Sequence, residues 1–138
     1  MTRNDDAAHR IRGIIVGHGE LPQALLGAAS AIVGPPEGIA TLSNTGLSAA
    51  ELERRLDVLV TGTGDRPTVV FVDMYGSSCS TVSLRVQRSH PNLAVVCGVN
   101  LPMLLRFIGH RDRDTLPDLL RAVRKAQAND PVGGQPAD

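Results

Sequence analysis

The sequence predicts an α/β fold built on an open, mainly parallel four-stranded sheet flanked by helices. Three observations carry that expectation. Short apolar runs rich in β-branched residues, each bounded by Gly, Pro, Asn or Asp, alternate with longer stretches of helical period. Strands alternating with helices imply right-handed βαβ crossovers, and these lay the strands parallel with helices on both faces. The available core is aliphatic, because hydrophobic residues make up 42% of the 138 residues while there is no Trp, one Tyr and two Phe. A chain of this length fits a single domain.

The elements follow in order. IRGIIV (11–16) reads as the first strand, and Leu21 to Ile32 as a helix with Pro22 in the first turn, where its missing N–H costs nothing. GIATL (38–42) is the second strand. The second helix runs from Ser48 to Val60 and opens on Ser48-Ala-Ala-Glu51, a capping box. TVVFVD (68–73) and LAVVCGV (93–99) are the third and fourth strands, separated by a helix from Ser78 to Ser89. Two more helices are expected, from Pro102 to Ile108 and from Thr115 to Ala128, the last with Thr115 placed to cap it. Residues 1–9 and the Pro- and Gly-rich 129–138 read as flexible segments around one domain at 10–128.

Charge and cysteine usage narrow the function classes. Fourteen basic residues balance fourteen acidic ones, so no broad field favours nucleic acid or an anionic membrane. No apolar run approaches the ~18 residues a spanning helix needs, and the polar opening MTRNDDAAHR lacks a signal peptide's apolar stretch, so a cytoplasmic location is expected. Cys79 and Cys97 form neither C-x-x-C nor a Cys/His metal spacing. They read as reduced, small buried hydrophobes, and no disulfide, metal or cofactor is expected.

Ligands of open parallel sheets bind beyond the carboxyl ends of the strands, where strand order reverses. Gly17-His18-Gly19 lies at that end of the first strand, Asp73-Met74-Tyr75-Gly76-Ser77-Ser78 after the third and Gly98-Val99-Asn100 after the fourth. In a flavodoxin-like order 2-1-3-4, His18 and Asp73 face each other across the switch point, and the carboxylate holds the imidazole. Gly19 lets backbone approach a ligand closely, while Gly76, Ser77 and Ser78 offer N–H groups and hydroxyls at a helix N-terminus, where an anion is favoured. Asn100 starts the next helix and shapes the rim. A nucleophilic imidazole beside an anion pocket points to phosphoryl chemistry.

At these residues the chain resembles a known family. IIVGHGELPQALLGAASAIVG, VVFVDMYGSSCST and VVCGVNLPMLLRFI, in that order over roughly residues 11 to 126, are similar to segments of the enzyme IIA components of the mannose/fructose class of the bacterial phosphoenolpyruvate-dependent sugar phosphotransferase system. The resemblance implies that His18 is the phosphorylated histidine, Asp73 the aspartate that orients it and Ser78 a phosphate contact. It implies a phosphotransferase that takes a phosphoryl group from phospho-HPr and passes it to a IIB component. It further implies a homodimer that is at most peripheral to a membrane permease. An unperturbed imidazole titrates near ~6.5, so at neutral pH it is largely the uncharged nucleophile. Three departures from the family pattern stand out. Gly17 replaces a Thr or Ser, Gly76-Ser77-Ser78-Cys79 replaces Gly-Gly-Ser-Pro, and no apolar alternation after the last helix marks a fifth, exchangeable edge strand.

Plainer readings stand beside these. Asp73 can cap its own turn, and Ser77 or Ser78 can cap a helix. His90 and His110 read as solvated loop residues, and Arg121, Arg124 and Lys125 as partners of a helix dipole. Two other functions compete with the sugar phosphocarrier: a regulatory phosphoprotein of the same fold, and a Ser/His/Asp hydrolase using Ser78, His18 and Asp73. The latter lacks G-x-S-x-G, since the chain reads Gly76-Ser-Ser-Cys-Ser80.

Overall fold

The computed structural model describes residues 10–64 and 66–128. The expected flexible segments at 1–9 and 129–138, and the question of a strand beyond the last helix, fall outside the described residues. The four strands are β1 (Arg12–Gly17), β2 (Ile39–Ser43), β3 (Thr68–Val72) and β4 (Leu93–Cys97). The five helices are α1 (Leu21–Val33), α2 (Ala49–Thr61), α3 (Ser78–Gln87), α4 (Leu101–His110) and α5 (Leu116–Ala128). All strand pairs are parallel and the order is β2-β1-β3-β4, as the sequence predicts.

Period-two alternation divides the core between the two faces of the sheet. Ile14, Val16, Leu42, Val70 and Val72 pack against Leu52, Leu56 and Val60 of α2 and Cys79, Val82 and Val86 of α3. Ile15, Val69, Phe71 and Val96 face the other way, onto Met103, Leu104 and Phe107 of α4 and Leu119 and Val123 of α5. The two phenylalanines meet edge to face there, with ring centroids 5.1 Å apart. Gly13 makes room for them, since a Cβ at that position would lie 3.0 Å from the Phe107 ring.

Helix ends follow the sequence signals closely. Ser48 accepts from the Glu51 N–H at 3.1 Å while the Glu51 carboxylate accepts from the Ser48 N–H at 3.0 Å, which holds the Glu51 carboxyl below its ordinary range. Asn100 caps α4 by accepting from Met103 N–H, and Thr115 accepts from Asp118 N–H at the start of α5. Replacing Ser48 with Ala removes the α2 cap and should cost about 1 kcal/mol, read as a lower urea midpoint at unchanged m-value.

Several boundaries differ from the expectation. Helix α3 stops at Gln87 rather than Ser89, because Arg88, Ser89 and His90 donate to carbonyls three residues back and tighten the chain into turns. Strand β4 stops at Cys97, since Gly98 turns away at φ +78°. Gln127 of α5 donates to the carbonyls of Cys97 and Gly98 and closes that end of the sheet. The two histidines expected to be solvated are paired instead. His90 Nε2 lies 2.8 Å from the Asp57 carboxylate on α2, and His110 ends α4 with Nδ1 3.1 Å from Asp114. Arg121 pairs with Asp118 one turn earlier on α5, so it answers a carboxylate before it answers the helix dipole.

Candidate functional site at the carboxyl rim of the sheet

Strand order reverses between β1 and β3: the chain leaves β1 for β2 on one side, then crosses back to β3 on the other. His18 follows β1 and Asp73 follows β3, and parallel register sets Val16 opposite Val72, so the two residues emerge side by side. His18 Nδ1 lies 2.6 Å from Asp73 Oδ2. The same oxygen accepts the His18 backbone N–H at 3.0 Å, and Oδ1 accepts the Met74 N–H at 2.9 Å. Asp73 is thus held on three sides and its side chain is only 9% exposed, whereas the His18 side chain is 46% exposed. Because an ionised carboxylate only accepts, Nδ1 carries a proton toward it, and in the neutral imidazole Nε2 then keeps a lone pair.

Gly17 has a steric role at this point. A Cβ there would sit 3.1 Å from Asp73 Oδ2 and 3.2–3.3 Å from its Cγ and Cβ. The bare backbone therefore lets the carboxylate lie close against β1. Gly19 turns at φ +59° into α1, and a Cβ at that position would meet nothing within 4 Å, so the turn itself is open. Ser43 donates to the Gly19 carbonyl at 2.7 Å and so ties this turn to the end of β2. Nothing local in the sequence signals that role for Ser43.

The loop after β3 uses its polar groups differently from the expectation. Ser77 caps α3, accepting from Ser80 N–H and donating to the Met74 carbonyl. Gly76, at φ +85°, gives its N–H to Ser80 Oγ, so that amide is occupied internally. The first intrahelical bond is from Thr81 N–H to the Ser77 carbonyl, and the N–H groups of Ser78 and Cys79 precede it at the positive end of the helix. The Ser78 residue is exposed there. Asp73 holds Nδ1 as a Ser-His-Asp relay would, but no hydrogen bond joins Ser78 to His18 among the described residues, so the relay is not assembled. Asn100 is spent on capping α4.

Cys79 is a neighbour of the site that sequence reasoning missed. It is fully buried, as expected for a small hydrophobe, yet its Sγ lies 4.0 Å from His18 Nδ1. Burial, and then the negative charge of Asp73, push this thiol up to about 11, so it is protonated at neutral pH. Cys97 is shifted upward for the same two reasons and is partly exposed.

The family model described as "PTS system fructose IIA component" matches residues 13–124, a span that includes the whole rim. The chain belongs to this family. The sorbose-specific EIIA component of the sugar phosphotransferase system of Klebsiella pneumoniae is 26% identical over 114 residues, covering 83% of this chain and 84% of that protein. The fold is shared with the crystal structure of an EIIA component from Streptococcus agalactiae, at TM-score 0.81 and 24% identity, covering 87% of this chain and 94% of that one. A sigma-54 interaction domain protein from Enterococcus faecalis also shares it, at TM-score 0.75 and 12% identity over 92% of this chain and 99% of that one. Membership in the IIA family supports a phosphocarrier role in a sugar phosphotransferase system. Among the described residues no helix is long and apolar enough to cross a membrane.

Proposed function

We propose that this protein accepts a phosphoryl group from phospho-HPr on Nε2 of His18 and passes it to a IIB component. The observation that carries the reading is the 2.6 Å bond from His18 Nδ1 to Asp73 on an exposed rim, because it leaves Nε2 as the attacking atom. As the new N–P bond forms and the donor's P–N bond breaks, positive charge grows on the His18 ring and the Asp73 carboxylate stabilises it. The phosphoryl oxygens meet the open turn at Gly19 and the N–H groups opening α3 at Ser78 and Cys79. Positioning and charge stabilisation supply most of what phosphoryl transfer requires, and the chain's own residues provide both. Onward transfer runs the same step in reverse against the next acceptor. Incubation with phosphoenolpyruvate, enzyme I and HPr followed by intact mass tests the reading directly.

A second reading, a regulatory phosphoprotein with no permease to serve, is favoured by the fold being shared with the sigma-54 interaction domain protein. Both readings use the same phosphohistidine. They separate on whether the phosphorylated chain loses its label to an added IIB protein.

We further propose a cytoplasmic homodimer held by helix or edge contacts. Among the described residues, strands β2 and β4 form the two edges of the sheet, and a parallel edge invites covering. Light scattering at tens of micromolar should return a dimeric mass, unchanged after deletion of residues 130–138. A monomeric mass would refute the dimer.

A further inference from the structure

Four hydrogen bonds hold the backbone around His18, and two of them come from the end of β2. His18 donates its own N–H to Asp73 Oδ2 at 3.0 Å, and its carbonyl accepts the Leu21 N–H at 3.2 Å as α1 begins. The carbonyl just before it, on Gly17, accepts the Asn44 N–H at 3.0 Å. The carbonyl just after it, on Gly19, accepts the Ser43 hydroxyl at 2.7 Å. Asn44 acts through its main chain, so any residue but Pro serves there. Ser43 acts through its side chain, across 24 residues of sequence, from a register position beside Gly17.

The Ser43 hydroxyl has one hydrogen to give and two lone pairs to offer. The hydrogen goes to Gly19 in the shorter bond. The Thr45 N–H donates to Ser43 Oγ at 3.1 Å, and the Thr45 hydroxyl, 3.0 Å away, supplies the proton of that contact. Both contacts turn the hydroxyl toward the Gly19 carbonyl. The turn has little else to steady it, since Gly19 stands at φ +59° with no side chain to pack and the His18 side chain is nearly half exposed. Asp73 fixes Nδ1, and the direction in which Nε2 points then depends on the backbone that carries the ring.

We propose that Ser43 is a positioning residue for phosphoryl transfer: by holding the Gly19 carbonyl, its hydroxyl sets the direction in which His18 Nε2 meets phosphorus. Its bonds go to Gly19 and Thr45 and not to the imidazole, so it acts through the turn. In-line attack tolerates little misalignment, and a loosened turn lowers the rate of the chemical step. The positioning role rests on the reading of His18 as the phosphoryl acceptor. The tie between Ser43 and Gly19 does not.

Single-turnover transfer from purified phospho-HPr, measured over a series of donor concentrations, tests the role in the full chain. Ser43→Ala should lower the limiting rate by roughly three- to thirtyfold, while the donor concentration that gives half of it stays within about twofold. Ser43→Thr keeps the hydroxyl on a residue suited to a strand and should recover most of the rate. Nitrogen-15 relaxation should show a lower amide order parameter at Gly19 in Ser43→Ala than in the wild type. The imidazole should keep its Nδ1–H tautomer and the thermal midpoint should stay close to wild type, which separates this effect from loss of Asp73 and from general loosening. A wild-type limiting rate in Ser43→Ala overturns the role, as does a slowed rate that Ser43→Thr does not recover or one that more donor abolishes. An unchanged order parameter at Gly19 overturns the tie. A wild-type chain that phospho-HPr never labels overturns the phosphocarrier reading and the positioning role with it, and the order parameter then judges the tie alone.

Discussion

His18→Ala should abolish phosphorylation altogether, taking the label from one acid-labile group per chain to none. A phosphoramidate hydrolyses in acid whereas a phosphoserine ester survives it, so lability reports the nitrogen linkage even before the site is mapped. Two neighbouring acceptors are poorly placed. The hydroxyl of Ser77 is committed to the cap of α3, and the buried Cys79 thiol is kept protonated by its surroundings. The fold should survive the substitution, because the side chain is nearly half exposed and contributes little burial. Asp73 keeps two of its three bonds in the variant, to the backbone N–H groups at positions 18 and 74. Circular dichroism and a thermal midpoint close to wild type should accompany the lost label. A variant that is labelled to full stoichiometry would place the phosphoryl group elsewhere.

Most of the fold is legible in the sequence because buried parallel strands and capped helices advertise themselves locally. The run TVVFV is buried on both faces, and such a run has little alternative to a central strand. Ser48, Asn100 and Thr115 sit where a cap residue must sit, and each one caps. The strand order follows from treating 11–16 and 68–73 as neighbours, and this juxtaposition alone brings His18 and Asp73 to one point. Element ends are less legible, because they are decided by turns such as Gly98 and by the hydrogen bonds after Gln87 that reach back three residues rather than four.

What the sequence hides at the site is contact across long separations. Cys79 follows the loop after β3 by simple counting, but whether its sulfur turns into the core or toward the histidine depends on where Ser77 starts the helix. The occupied N–H of Gly76 depends on the same cap, since it answers to the Ser80 hydroxyl one turn on. The pairs His90 with Asp57 and Gly17 with Asp73 are tertiary in the same sense, 33 and 56 residues apart, and leave no periodicity to read.

Asp73→Asn should slow phosphoryl transfer by roughly ten- to a thousandfold while the chain still folds, as losses of preorganised electrostatic stabilisers do elsewhere. The amide keeps the shape but loses the charge that balances the ring at the transition state. It also cannot reproduce the bonding. Asp73 accepts from three directions, with Oδ2 toward His18 and Oδ1 toward the Met74 N–H, whereas an Asn side chain has one accepting oxygen and one donating nitrogen. With its oxygen toward His18, its NH2 confronts the Met74 N–H, donor against donor. Flipped, it donates to Nδ1, the ring proton moves to Nε2, and the attacking nitrogen is blocked. Either arrangement costs rate, and the second also changes an observable. Nitrogen-15 NMR of the imidazole should show the Nδ1–H tautomer in the wild type and a growing Nε2–H population in the variant, alongside slower single-turnover transfer from phospho-HPr. A variant with both the wild-type rate and the wild-type tautomer would reduce Asp73 to a cap on its own loop.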